Sequence, residues 1–294
     1  MTGIDRITRA FEDPIATRAD DERVATRIIE DTSSRGIKLM THAVVGYPDM
    51  AASSRILAAM ASAGADFIET QLPFSDPSAD GRSIVEANYG ALAAGSSTRT
   101  CLETIEGLRA ATGADVAERA ERTPILVMSY VNVLYAYGID EIVARAAASG
   151  IDGFIVPDYP DDESELGLAA KCAEAGLALV PLIAPTTSLE RAASLAAASA
   201  SPFLYAVTRL GVTGRKTELD AEALGRLESL KERTGKRIAA GFGIRERSQV
   251  RALQGHADCA IVGSAIVDAI RSATEAGKDP AAAAGELVRS LKAN

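Results

Sequence analysis

The sequence predicts an α/β protein of the (β/α)8 TIM-barrel class, and three observations carry that reading. Eight short apolar runs alternate with alanine-rich amphipathic stretches almost to the C-terminus. The runs are apolar throughout rather than alternating, as expected for strands covered on both faces and therefore parallel. Eight strand–helix units in about 250 residues match the usual length of this barrel. An open doubly wound sheet would fit the alternation too, but VVGYPDM after the first run lacks the GxGxxG turn such sheets use for dinucleotides.

The runs are, in order, KLMTHAVVG from 38, FIETQL from 67, TPILVMSY from 123, GFIVPD from 153, ALVPLIAP from 178, PFLYAVT from 202, RIAAGFG from 237 and CAIVGSA from 259. Between them lie AASSRILAAMASAG, DEIVARAAASG, SELGLAAKCAEAG, LERAASLAAASA and AEALGRLESLKERTG, several ending in the glycine expected just past a helix C-terminus. Residues 1–22 form an N-terminal extension holding the amphipathic motif IDRITRAF, and residues 23–294 form one barrel domain. A second amphipathic motif, RVATRIIEDTSSRG, leads into the first strand, and both motifs are expected to cap the barrel floor. The polar stretch 112–124 reads as a surface loop.

Composition narrows the function classes. The chain has 294 residues, 47% of them hydrophobic, and a net charge of −9 without a basic cluster, which argues against nucleic acid. No apolar run reaches the roughly 20 residues of a membrane helix, and GLALVPLIAP is interrupted by prolines. The N-terminal stretch mixes both charge signs, unlike a signal peptide, so a cytoplasmic location is expected. Three widely spaced cysteines and two histidines form neither a disulfide framework nor a metal cage, and no metal site is expected. The chemistry is left to carboxylates, hydroxyls and backbone.

In this fold the active site collects at the C-terminal ends of the strands. Glu69 stands in an otherwise apolar second strand, where burial penalises its charge and suits a proton carrier. No Lys or Arg partner for it is evident. Asp76 and Asp80 follow in the loop SDPSADG, Tyr130 ends the third strand, Asp158 the fourth, and Tyr205 lies on the sixth. Asp158 could instead cap a helix, and Tyr205 could be a core residue. AAGFGIRERSQ and VGSAIVDAI place small residues where the last two strands meet their helices, the usual phosphate position of this barrel. RLGVTGRK, with Gly211, Thr213 and Gly214, supplies a loop able to close over a ligand. No lysine falls at a strand's C-terminal end, which argues against a Schiff-base aldolase.

GYPD at 46–49, PFSDPSADG at 73–81, MSYVN at 128–132, TRLGVTG at 208–214, GFGI at 241–244 and VGSAIV at 262–267 together resemble the α chain of tryptophan synthase, in order from about residue 24 to the end. That resemblance implies a cofactor-free retro-aldol cleavage of indole-3-glycerol phosphate to indole and glyceraldehyde 3-phosphate. It implies that Glu69 is the acid/base, that Asp80 holds the ring N–H, and that Tyr205 orients the glycerol chain. Gly214, Gly243, Gly263 and Ser264 would bind phosphate, and His42, Gln71, Tyr130, Asp158 and Thr213 would line the substrate. A pyridoxal-phosphate-dependent β chain is the implied partner, docking in part through the PFSDP loop.

The departures from the family's pattern lie together. His42 replaces an aromatic residue expected against the ring, Thr70 and Gln71 replace Leu-like and Gly residues, and Arg82 follows ADG. A glutamine there would crowd an indole or hydrogen-bond a polar ring substituent. Two alternatives therefore stand beside the main reading: a specialised paralogue, of secondary metabolism, acting on a modified or different heterocycle with a glycerol phosphate chain, and a non-catalytic regulatory subunit that binds phosphate ligands.

Overall fold

A computed structural model describes residues 1–13, 36–109, 122–159, 165–207, 220–241 and 243–292. Among these described residues nine parallel strands make one sheet: β1 (Lys38–Val44), β2 (Phe67–Gln71), β3 (Ile125–Met128), β4 (Gly153–Ile155), β5 (Ala178–Leu179), β6 (Leu182–Ile183), β7 (Phe203–Val207), β8 (Arg237–Gly241) and β9 (Cys259–Val262). The ninth arises because the fifth apolar run is divided. Its first half pairs with β4 and its second half with β7. Pro181 has no N–H for a ladder, but its carbonyl accepts from Tyr205 N at 2.9 Å, so the run bridges its two neighbours and closes the ring of eight.

Around the strands lie α2 (Met50–Ser62), α3 (Arg82–Ala93), α4 (Thr98–Arg109), α5 (Val131–Tyr137), α6 (Ile139–Ala148), α7 (Leu168–Glu174), α8 (Leu189–Ala198), α9 (Ala221–Thr234), α10 (Arg247–Ala252), α11 (Ser264–Glu275) and α12 (Pro280–Lys292). Short polar side chains start several of them. Asp49 accepts from Ala52 N at 2.8 Å, Asp220 from Ala223 N at 2.8 Å and Ser188 from Arg191 N at 3.2 Å. Both faces of the strands are buried, one against these helices and one against the barrel interior, which is why the runs carry so few polar positions. The expected second amphipathic motif, most of the 112–124 loop and the RLGVTGRK loop lie outside the described residues.

The floor of the barrel is closed by α1 (Gly3–Glu12), the predicted IDRITRAF helix. Thr2 and Asp5 form a capping box at its start. Ile7 and Phe11, four apart and on one face, enter the barrel, where Phe11 meets Phe67 at 4.7 Å and Phe203 at 5.5 Å between ring centroids. Gly3 allows the helix to approach, since a Cβ there would lie 2.5 Å from the Asp152 carbonyl oxygen. Arg6 forms an ion pair with buried Asp152, which also accepts from Arg109 Nη2 at 2.6 Å and Ile125 N at 2.7 Å. Phe11→Ala is expected to lower stability by about 3–5 kcal/mol in denaturant unfolding, because the ring fills a closed floor that cannot collapse around the gap.

Candidate active site

The site is built on β1 and β2 by register. His42 and Glu69 are direct partners in the parallel pairing, so their side chains leave the sheet on the same face. Both are buried, and His42 Nδ1 lies 3.0 Å from Glu69 Oε1. The partner that sequence reading could not find for Glu69 is therefore an imidazole from the neighbouring strand, 27 residues earlier. Two residues further along β2, Gln71 shares the inward face, and its Nε2 donates to Asp80 Oδ2 at 2.6 Å. Thr70, between them, faces the helical layer and donates to the Leu126 carbonyl at 3.0 Å. Of the two departures on this strand only Gln71 therefore reaches the inward side, because strand alternation sends Thr70 the other way.

Asp80 is held from two sides. Tyr130 donates to the same Oδ2 at 3.1 Å, and its hydroxyl oxygen accepts from Ala79 N at 3.0 Å, so one tyrosine fixes both the aspartate and the loop backbone before it. Neither bond falls on Oδ1. Asn88 of α3 reinforces the loop, accepting from Phe74 N at 2.9 Å and donating to the Ile84 carbonyl at 2.8 Å. Sequence reading passed over Asn88, although a buried amide within the apolar face IVEANYGAL is the kind of signal that could have revealed it. Asp76 stays exposed and accepts from Ser75 Oγ at 2.5 Å.

Three buried polar atoms converge here with no hydrogen-bond partner among the described residues: Glu69 Oε2, His42 Nε2 and Gln71 Oε1. Such atoms are costly unless a ligand satisfies them. Burial pushes the Asp80 carboxyl above its ordinary range, against the pull of Gln71, His42 and Tyr130. Burial opposes a charged His42, but the Glu69 carboxylate, with Asp80 behind it, outweighs that and raises it. Tyr205 stands on β7, facing inward, its hydroxyl oxygen 3.4 Å from where a Cβ on Gly241 would be. Its own ionisation is pushed well up by burial and by the Glu69 and Asp80 charges.

Beside His42, at the end of β9, which pairs with β1, Gly263 begins α11 without a side-chain cap, and the buried Ser264 Oγ has no partner among the described residues. In this helix of 12 residues Ile266 N donates back to the Gly263 carbonyl at 2.9 Å, which leaves the Ser264 and Ala265 N–H groups as the first-turn donors for an anion. Gly243 adopts φ 65°, a left-handed turn after β8 that favours glycine. Gly263 adjoins the carboxylate site, since a Cβ there would be 3.7 Å from His42 Cβ. Asp158 is exposed on the rim and accepts from Val131 N at 2.9 Å, at the start of α5. Arg82 points to solvent and donates to Glu86 Oε1 at 2.7 Å. Gly211, Thr213 and Gly214 lie outside the described residues. The three cysteines are buried and unbridged, with Cys101 and Cys172 each pushed up to about 12 by burial, so none is a thiolate nucleophile. Among the described residues, no helix is long and apolar enough to cross a membrane, and no three His, Cys, Asp or Glu groups gather as a metal site.

A closed parallel barrel with two buried carboxylates and a helix N-terminus at its C-terminal mouth defines the class: a barrel protein equipped for acid/base chemistry. The chain belongs to the tryptophan synthase alpha chain family, whose sequence profile matches residues 30–294. It is 39% identical over 248 residues to the tryptophan synthase alpha chain of Carboxydothermus hydrogenoformans, covering 84% of this chain and 88% of that one. The alpha chain of Syntrophotalea carbinolica is 38% identical over 91% of this chain and 99% of its own length. Among solved structures, tryptophan synthase subunit alpha from Legionella pneumophila superposes with a TM-score of 0.78 at 29% identity, covering 97% of this chain and 96% of that chain. A chain of Mycobacterium tuberculosis tryptophan synthase gives 0.74 at 32% identity, covering 88% and 94%. The activity is that of the family: carbon–carbon cleavage of indole-3-glycerol phosphate to indole and glyceraldehyde 3-phosphate.

Proposed function

We propose that this cleavage is divided between Glu69 and Asp80. Expelling a carbon substituent from an electron-rich ring requires a proton on the ring carbon and a negative charge near the ring nitrogen, where positive charge develops. Glu69 supplies the proton from Oε2, and the resulting carboxylate takes the hydroxyl proton of the side chain as the carbon–carbon bond breaks. Asp80 offers Oδ1 to the ring N–H while Gln71 and Tyr130 hold Oδ2. The observation that carries this assignment is the unpartnered, buried Glu69 Oε2 beside an aspartate clamped through its other oxygen. Tyr205 orients the glycerol chain between them. The phosphate rests on Gly243, Gly263 and Ser264, and the family resemblance adds Thr213 and Gly214, which lie outside the described residues. His42, Gln71 and Tyr130 line the ring end, and Asp158 acts at the rim.

Gln71 has two effects that point in opposite directions. Its bulk fills space a glycine would leave open, yet its amide is a buried donor to a catalytic carboxylate. Removing such a donor costs about 1.5–3 kcal/mol, so Gln71→Gly is expected to lower kcat/KM for indole-3-glycerol phosphate about tenfold or more. A rise in steady-state rate would mean that crowding of the ring dominates.

The partner in this reading is a pyridoxal-phosphate-dependent β chain meeting the PFSDP loop, residues 73–77. The support is family membership together with the loop's position: Ser75 and Asp76 are exposed, and Phe74 N fastens the loop by donating to Asn88 Oδ1. Arg82 flanks it and is 90% exposed, available to a docking face. The deciding experiment measures glyceraldehyde 3-phosphate released by the purified chain from indole-3-glycerol phosphate, with and without a tryptophan synthase β chain. Turnover enhanced by the β chain supports both parts of the reading. Turnover indifferent to it removes the partner and leaves a free-standing lyase; no turnover in either arm removes the substrate assignment.

A further inference from the structure

We propose that His42 is a positioning residue for Glu69, and that the two side chains together store the one proton that cleavage passes to the ring carbon. The proposal rests on Glu69 being the acid/base group. The geometry is a buried pair joined through His42 Nδ1 and Glu69 Oε1 at 3.0 Å. The atoms on the far side of each group, His42 Nε2 and Glu69 Oε2, are buried and have no partner among the described residues. With the Nδ1 hydrogen donated to Oε1, that oxygen is always an acceptor. The remaining ionisable proton then has two homes, Nε2 or Oε2, and these are the two unpartnered atoms.

The proton count closes over one turnover. Glu69 Oε2 gives its proton to the ring carbon, leaving a carboxylate whose Oε1 still accepts from His42. The carboxylate takes the side-chain hydroxyl proton, the carbon–carbon bond breaks, and its electron pair moves into the ring and neutralises the nitrogen. An aldehyde and the free heterocycle leave, and Glu69 is protonated again. An aromatic hydrocarbon in place of His42 would neither hold Oε1 nor give the proton a second home.

The groups acting on the pair come from several elements. Asp80, from the loop after β2, adds negative charge, as Glu69 does, and the nearby Gln71 side chain also favours the charged imidazole. Tyr205, from β7, is close enough for Glu69 and Asp80 to raise it. Tyr130 acts through its bond to Asp80, and the N-terminus of α11 begins at Gly263 beside the His42 Cβ. The balance favours the charged imidazole, so His42 keeps its proton to higher pH than a free histidine.

The test follows kcat and KM against pH for the full chain with indole-3-glycerol phosphate, in the wild type, His42→Phe and His42→Asn. His42→Phe is expected to lower kcat about tenfold or more, with KM within about threefold, and to move the alkaline limb to lower pH. His42→Asn keeps an N–H near the place of Nδ1 but no second home for the proton, so it should regain kcat at low pH and keep the displaced limb. Where His42→Phe fails to fold, as judged by thermal melting, His42→Asn carries the kinetic comparison alone. An independent measurement follows the ring resonances of His42 by NMR in the wild type and in Glu69→Gln; His256 is the only other histidine to assign. The His42 titration should fall on loss of the carboxylate. That readout needs no turnover, so it stands even if indole-3-glycerol phosphate proves not to be the substrate. Wild-type pH profiles in the histidine variants, or an unchanged His42 titration in Glu69→Gln, would overturn the proposal.

Discussion

Glu69→Gln is expected to reduce release of glyceraldehyde 3-phosphate from indole-3-glycerol phosphate by about a thousandfold in kcat, within the range of a lost general acid/base. The substitution keeps the shape of the side chain and leaves an oxygen to accept from His42 Nδ1, but it removes the transferable proton. In the proposed reading the phosphate is held by backbone N–H groups at the start of α11 and not by the Glu69 carboxyl, so affinity for glycerol phosphate should change by no more than about twofold. That separation distinguishes a chemical role from a structural one. Retained turnover would remove Glu69 from the proton transfers and, with it, the reason for His42 beside it.

The second large effect is expected at Asp80. Asp80→Asn preserves an acceptor for Gln71 Nε2 and Tyr130, so the loop should keep its place, while the negative charge opposite the ring nitrogen disappears. Losses of about 10²–10³ in kcat are typical when one preorganised electrostatic contact to a transition state is removed. The variant should melt at or above the wild-type temperature, because burial already makes the charged carboxylate unfavourable here. A kcat within threefold of wild type, measured with the same release assay, would mean that the developing ring charge is stabilised elsewhere.

Much of this site was legible before any coordinates. Glu69 stands out as one carboxylate in an apolar strand, and the SDPSADG loop with Asp80 follows it directly. The glycine turns after the last two strands fall where a barrel binds phosphate, and Gly263 and Ser264 stand at the start of a helix that has no side-chain cap. What could not be read were pairings across strands. His42 was visible only as a departure from an aromatic residue, Gln71 only as added bulk, and Thr70 as part of the same polar cluster. Register turned these into a dyad, a clamp on Asp80, and an outward-facing hydroxyl that bonds to Leu126. Arg82, counted among the same departures, points into solvent. Asp158, expected to line the substrate, is held at the rim by the backbone of α5.

The sequence by itself determined the class of fold, the order of the strands, the helix that closes the floor and the residues that could do chemistry. These follow from patterns short enough to lie within one element: runs apolar on both faces, a helical apolar stripe, a glycine at a turn. The tertiary structure alone decided how the fifth run closes the ring across Pro181, and which polar side chains meet. Both depend on pairing between segments far apart in the chain, and one residue of register moves a side chain to the other face of the sheet. Composition and periodicity hold no record of that register, so the partner of Glu69 became known only when β1 was laid beside β2.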